Sequence, residues 1–111
     1  MKTFTESDLS LVEAASAYAA LGSEQRLSLL RHLTRSGTQG VSIGELGQAT
    51  GLSGANLTHH LKILMGSGLI RQTKHGRSVI CAMADYQTFE RLNKFLLAEC
   101  CADIDGGSES G

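Results

Sequence analysis

Three cysteines carry the soft nucleophilic chemistry of this 111-residue chain: Cys81, Cys100 and Cys101. Thiolates are soft ligands and select soft acceptors, trivalent arsenic and antimony among them. The adjacent pair closes the run Phe95-Leu96-Leu97-Ala98-Glu99-Cys100-Cys101. Adjacent side chains diverge on a helix, but at a fraying helix end both sulfurs can turn toward one ion. A disulfide between them is disfavoured, because consecutive Cα atoms lie about 3.8 Å apart and disulfides span about 4.4–6.8 Å. The same thiols can respond to oxidants, persulfides or electrophiles. Packing is the plainer alternative. Cys81 alternates with Val79 and Met83 along a strand pattern, where cysteine serves as a small core residue. Cys100 continues the Leu92/Leu96 face and can simply seal an interface. The chain has no Cys-x-x-Cys motif, which argues against a thiol enzyme.

The second chemistry is ionic. Residues 23–78 hold seven Lys and Arg against two Glu, while both flanks are acidic and the whole chain carries −1. A positive centre of this kind suits phosphates, and a solvated surface without a partner is the bland alternative.

The elements that must position these groups read as follows. Ser7 or Asp8 caps a first helix to about Leu21, with Leu9, Val12, Ala15 and Ala19 as its apolar stripe. Ser23 caps a second helix to about Ser36, with Leu27, Leu30 and Leu33 inside and Leu29 alongside. Ser42 and Glu45 form a capping box for a short helix carrying Leu46 and Ala49. Gly47 permits close approach of another helix, and Gly51 supplies a left-handed turn. Ser53 caps the next helix, whose Leu57, Leu61 and Leu64 share one buried face before Gly66-Ser67-Gly68 ends it. This pair is a helix-turn-helix pattern. Residues 69–73 and 78–83 are β-rich, and Lys74-His75-Gly76-Arg77 between them is a basic turn. Asp85 caps a last helix to about Cys101, with Phe89, Leu92 and Leu96 in register. Residues 1–7 read as frayed and 104–111 as a disordered tail, leaving one domain over 1–103. Apolar residues make up 41% of the chain, enough for a modest core. No apolar run of membrane-spanning length and no secretory signal are apparent, so a cytoplasmic setting with reduced cysteines is expected. The first and last helices carry more apolar surface than their own core needs, which points to a second copy. The expected fold is therefore mainly α with a β-hairpin, ααααββα, a winged helix-turn-helix homodimerising through its first and last helices.

This order resembles the ArsR/SmtB family of bacterial repressors. So do Ala20-Leu21-Gly22-Ser23-Glu24-Gln25-Arg26-Leu27, Leu52-Ser53, His60-Leu61-Lys62-Ile63-Leu64 and Gly68-Leu69-Ile70. The match runs from about residue 10 to residue 101. It implies a homodimeric, effector-responsive repressor of double-stranded DNA, neither enzyme nor membrane protein, with no obligatory cofactor. The DNA-reading candidates are Ser53, Asn56, Thr58, His59 and Lys62 on the second helix of the pair, with Lys74 and Arg77 on the wing. Asn can pair with adenine, Thr can touch the thymine methyl, and Lys suits phosphate or guanine. Ser53 with the helix N-terminus suits a phosphate oxygen. His60 is expected to be a packed or hydrogen-bonded histidine.

The resemblance also bears on the effector. Residues 42–48 lack the cysteine cluster that some arsenic sensors carry on the third helix. Residues 85–103 contain no histidine, unlike zinc sensors of the family. What remains resembles arsenical sensors with a Cys-Cys pair ending the last helix. Cys100 and Cys101 are then the metalloid ligands. A third sulfur for arsenite would come from Cys81, the dimer mate or a small thiol, and two sulfurs suffice for a methylated trivalent arsenical. Two alternatives stay open: a redox- or reactive-sulfur-responsive repressor, and a winged-helix protein-interaction module with structural cysteines.

Overall fold

Serine starts most of the helices. The computed structural model describes residues 9–104. Helix α1 spans Leu11–Leu21. The Ser10 hydroxyl accepts from the Glu13 N–H at 3.0 Å, and the Glu13 carboxylate accepts from the Ser10 N–H at 3.0 Å. This capping box replaces the expected cap at Ser7 or Asp8. Those two residues, the expected fraying of residues 1–7 and most of the expected tail lie outside the described residues.

The inner face of α1 is Ala14, Ala17 and Ala20 rather than the expected Val12, Ala15 and Ala19. Small side chains let the helix lie close on the core, and the larger ones point away. Helix α2 spans Glu24–Thr34, and Ser23 accepts the Arg26 N–H at 3.2 Å. It buries Leu29, Leu30 and Leu33, whereas Leu27 is 45% exposed. The helix is thus rotated so that Leu29 takes the inner place expected of Leu27.

Strand β1 is Val41–Ser42, and helix α3, Ile43–Thr50, starts directly from it. The Ser42–Glu45 capping box forms as expected. Leu46 is buried and Ala49 is exposed, so Leu46 alone anchors α3 fully in the core. Gly51 ends α3 with φ 77°. At Gly47 both the turn and the next helix come close: a Cβ there would stand 2.8 Å from the Leu52 carbonyl oxygen and 3.3 Å from Cδ2 of Leu57.

Helix α4 covers Gly54–Gly66. Strands β2, Ile70–His75, and β3, Ser78–Met83, pair antiparallel from Ile70↔Met83 to His75↔Ser78. Lys74 and His75 therefore belong to β2, and the turn is Gly76-Arg77 alone, with Gly76 at φ 62°. The sheet has a third strand that the hairpin reading omitted. β1 pairs with β3 through Val41↔Cys81 and Ser42↔Ile80, giving the order β1-β3-β2.

Helix α5 spans Tyr86–Leu97, with the Asp85 carboxylate accepting the Gln87 N–H. It buries Leu92 and half-buries Phe89 and Phe95, but Leu96 is 66% exposed. It stops short of the expected Cys101. Beyond it the chain runs through turns closed by Cys100 N–H to the Leu97 carbonyl (2.9 Å) and Ala102 N–H to the Glu99 carbonyl (3.1 Å).

Leu29, Leu33, Leu46, Leu61, Leu64, Leu69 and Cys81 form the closed centre of the core. Each such leucine contributes about 1.5–3 kcal/mol by leaving water. The Tyr18 hydroxyl donates to the Leu92 carbonyl at 2.9 Å and ties α1 to α5. Outside that contact both helices present large apolar side chains to solvent: Leu11, Val12, Leu96 and Leu97 are all more than 60% exposed. Among the described residues no helix is long and apolar enough to cross a membrane.

Candidate nucleic-acid interface and thiol pair

Helix α4 is divided by its own periodicity. Leu57, His60, Leu61 and Leu64 face the core. Gly54, Ala55, Asn56, Thr58, His59 and Lys62 are exposed on the other side. The candidates Asn56, Thr58, His59 and Lys62 thus share one solvent face. Ser53 holds the N-cap position in extended conformation, but its side chain makes no cap hydrogen bond. Its exposed hydroxyl and the uncapped N–H groups of the first turn remain available to an acceptor.

Lys74 near the end of β2 and Arg77 in the turn are both exposed, as is His75 between them. The wing is braced at its base. Arg71 on β2 donates through its guanidinium to the Thr38 carbonyl (3.1 Å) and the Met83 carbonyl (3.4 Å).

A polar contact sits behind α4. Arg26 donates from Nε to the Ala20 carbonyl at 2.7 Å, and its Nη1 lies 3.2 Å from Nδ1 of His60. His60 is buried, and burial, then Arg26, then His59 hold its pKa below the ordinary histidine value. Sequence reasoning left His60 undecided and gave Arg26 no partner. The two are 34 residues apart, and only the fold brings them together.

The cysteines divide into two environments. Cys81 is fully buried on β3, and Gln72 Nε2 donates to its sulfur at 3.4 Å. Burial pushes its thiol pKa up, with the Gln72 contact opposing. Cys100 is exposed and Cys101 half-buried in the turns after α5. Cys101 adopts φ 68° and is the one non-glycine residue with positive φ among those described. This backbone brings the two thiols together, Sγ to Sγ 3.0 Å. Their hydrogen bond, then burial, raises the pKa of the Cys101 thiol, which keeps its proton at neutral pH. Among the described residues no three His, Cys, Asp or Glu side chains gather in a metal-holding group, so Cys81 stands apart from the pair within this chain.

A family model described as a helix-turn-helix domain matches residues 21–73, from the end of α1 into β2. An ArsR-like transcriptional regulator from Rhodococcus sp. RHA1 is similar at 29% identity and a TM-score of 0.65. That match covers 86% of this chain and 85% of that one.

The chain resembles ArsR-like regulators in sequence and in fold.

Two further structures share its winged helix-turn-helix fold. The transcriptional repressor BigR from Xylella fastidiosa matches at 23% identity and a TM-score of 0.62, over 81% of this chain and 88% of that one. The homodimeric winged helix-turn-helix DNA-binding domain Mb0332 from Mycobacterium bovis matches at 23% identity and a TM-score of 0.62, over 84% and 81%. No curated protein sequence gives a significant match. The three are described as an ArsR-like transcriptional regulator, a transcriptional repressor and a possible ArsR-family transcriptional regulator.

Proposed function

We propose that this chain is a homodimeric repressor of the ArsR type that binds operator DNA and is released by a trivalent arsenical or antimonial held between Cys100 and Cys101. The exposed Asn56, Thr58, His59 and Lys62 face bases in the major groove, Ser53 takes a phosphate oxygen, and Lys74 and Arg77 meet the flanking backbone. The dimer forms through the uncovered apolar faces of α1 and α5, as the homodimeric Mycobacterium bovis relative makes reasonable. Two copies then address a two-fold symmetric operator with half-sites about one helical turn apart.

The observation that carries the effector half is the pair of thiols 3.0 Å apart at solvent, immediately beyond the exposed Leu96 and Leu97 of α5. Binding is a condensation. Two S–As bonds replace two As–O bonds, each thiol proton leaves with a hydroxide as water, and no oxidation state changes. Two sulfurs satisfy a monomethylated trivalent arsenical, whereas arsenite needs a third, from a small thiol or from the second subunit. Binding tightens the turns that end α5, shifts the interface helix and alters the spacing of the two α4 helices. Operator DNA must then weaken effector binding by the same factor.

The test is binding of the reduced protein to a duplex that it selects from a random-sequence pool. Complexes are titrated with arsenite, methylarsenite, antimonite, zinc and a mild oxidant, for the wild type and for Cys100→Ser with Cys101→Ser. Release by an arsenical or antimonial, lost in the double variant, is the expected result. Release by oxidant alone would replace the metalloid reading with a redox one. Replacing Lys74 and Arg77 by Ala should weaken DNA binding and lower the salt slope by about two. Unchanged affinity and slope would remove the wing from the interface.

A further inference from the structure

Arginine has five N–H donors and no acceptor, and its charge does not titrate in the physiological range. The Arg26 contact with His60 therefore needs a lone pair on Nδ1. That requires a neutral imidazole with its proton on Nε2. Protonation of His60 would place an N–H where Arg26 donates, leaving two cations 3.2 Å apart in a buried setting.

The contact also has an unusual position. Arg26 stands on α2, its Nε holds the last turn of α1 through the Ala20 carbonyl, and its Nη1 reaches the back of α4. His60 lies between Leu57, Leu61 and Leu64 on the inner face of α4, directly behind the exposed Asn56, His59 and Lys62. One guanidinium thus joins three helices, including the helix that faces DNA in the reading above. The charged or titratable groups acting on the ring are Arg26 from α2 and His59 on α4 itself. From α1 the contribution is the neutral Ala20 carbonyl, relayed through Arg26.

We infer that Arg26 and His60 form a strut that holds α4 in its DNA-reading orientation and gives way when His60 takes a proton. Both are positioning residues, since neither lies on the exposed face of α4. The inference rests on the DNA-binding reading, and it makes a prediction opposite in sign to simple electrostatics. A protein that gains positive charge as pH falls should bind a polyanion more strongly. Loss of the strut should weaken that binding.

The test measures affinity for the selected duplex at fixed ionic strength between pH 7.5 and 5.5, with helical content checked at both ends. Wild-type affinity should fall about fivefold or more on acidification, within the range of ordinary coupling between sites. His60→Asn keeps an acceptor oxygen near the Nδ1 position and does not titrate. It should bind like wild type at pH 7.5 and lose the acid-dependent fall. Arg26→Leu should bind weakly at both pH values. Flat or rising wild-type affinity on acidification, or an acid-dependent fall retained in His60→Asn, would overturn the strut.

If the wild type selects no duplex, the DNA-binding reading fails, and nitrogen NMR of the imidazole decides the strut separately. An Nε2–H tautomer, with α4 amide signals that move as His60 titrates, supports it. An Nδ1–H tautomer or stationary α4 signals would overturn it.

Discussion

A thiol that keeps its proton reacts slowly with electrophiles, because the thiolate is the nucleophile. Cys81 and Cys101 both have raised pKa values, but for different first causes: burial at Cys81 and the hydrogen bond with Cys100 at Cys101. Only the second can be reached from solvent. Native-state alkylation read by mass spectrometry should therefore modify Cys100 and Cys101 and leave Cys81 untouched until the protein is unfolded. Native modification of Cys81 would contradict its burial on β3. The sequence made the pair legible as soft ligands, since residue type and adjacency are written in it. It left the left-handed turn at Cys101 illegible, because a non-glycine residue seldom adopts positive φ and carries no motif for it. The Arg26–His60 contact was illegible for another reason. Its partners occupy the second helix and the fourth, and no local pattern links them.

At the level of single elements, four serines sit at similar helix starts but do different work, and Ser23 accepts a single N–H, that of Arg26. Ser10 and Ser42 complete reciprocal capping boxes, whereas Ser53 makes no cap hydrogen bond. Ser42→Ala should cost about 1 kcal/mol of stability by urea unfolding. Ser53→Ala should stay within about 0.5 kcal/mol yet weaken DNA binding. Equal losses of stability would show that Ser53 caps after all. Periodicity found every helix, because leucine spacing is a strong signal. It chose the wrong face on α1, where alanines occupy several stripes and size does not mark the core. It also placed the end of α5 too late, because the apolar run continues through Leu97 toward the cysteines while the backbone has already turned. Strand β1 was missed for want of length. Two residues cannot display alternation, and Val41-Ser42 becomes a strand only because β3 offers a partner.

Across the whole molecule, charge and apolar surface are segregated. The basic stretch holds the helix-turn-helix and wing, and the most exposed leucines and the valine, Leu11, Val12, Leu96 and Leu97, lie on α1 and α5. Val12→Asp with Leu97→Asp should reduce the proposed dimer to a monomer in sedimentation velocity while leaving its helical content intact. An unaltered dimer would move the interface elsewhere. The same division explains why a nearly neutral chain can be read as a polyanion binder: net charge describes the sum, and phosphates meet the local field.

The short strand has one more consequence. β1 is hydrogen-bonded to the middle of the wing and passes without a linker into α3. The wing and the first half of the helix-turn-helix therefore behave as one caliper whose jaws, Arg77 and the start of α4, keep a set separation. On the proposed DNA-binding function, such a tool measures distance along the duplex. Inserting a single base pair between the major-groove contacts and the flanking phosphates should cost affinity that no adjustment of the hairpin can restore.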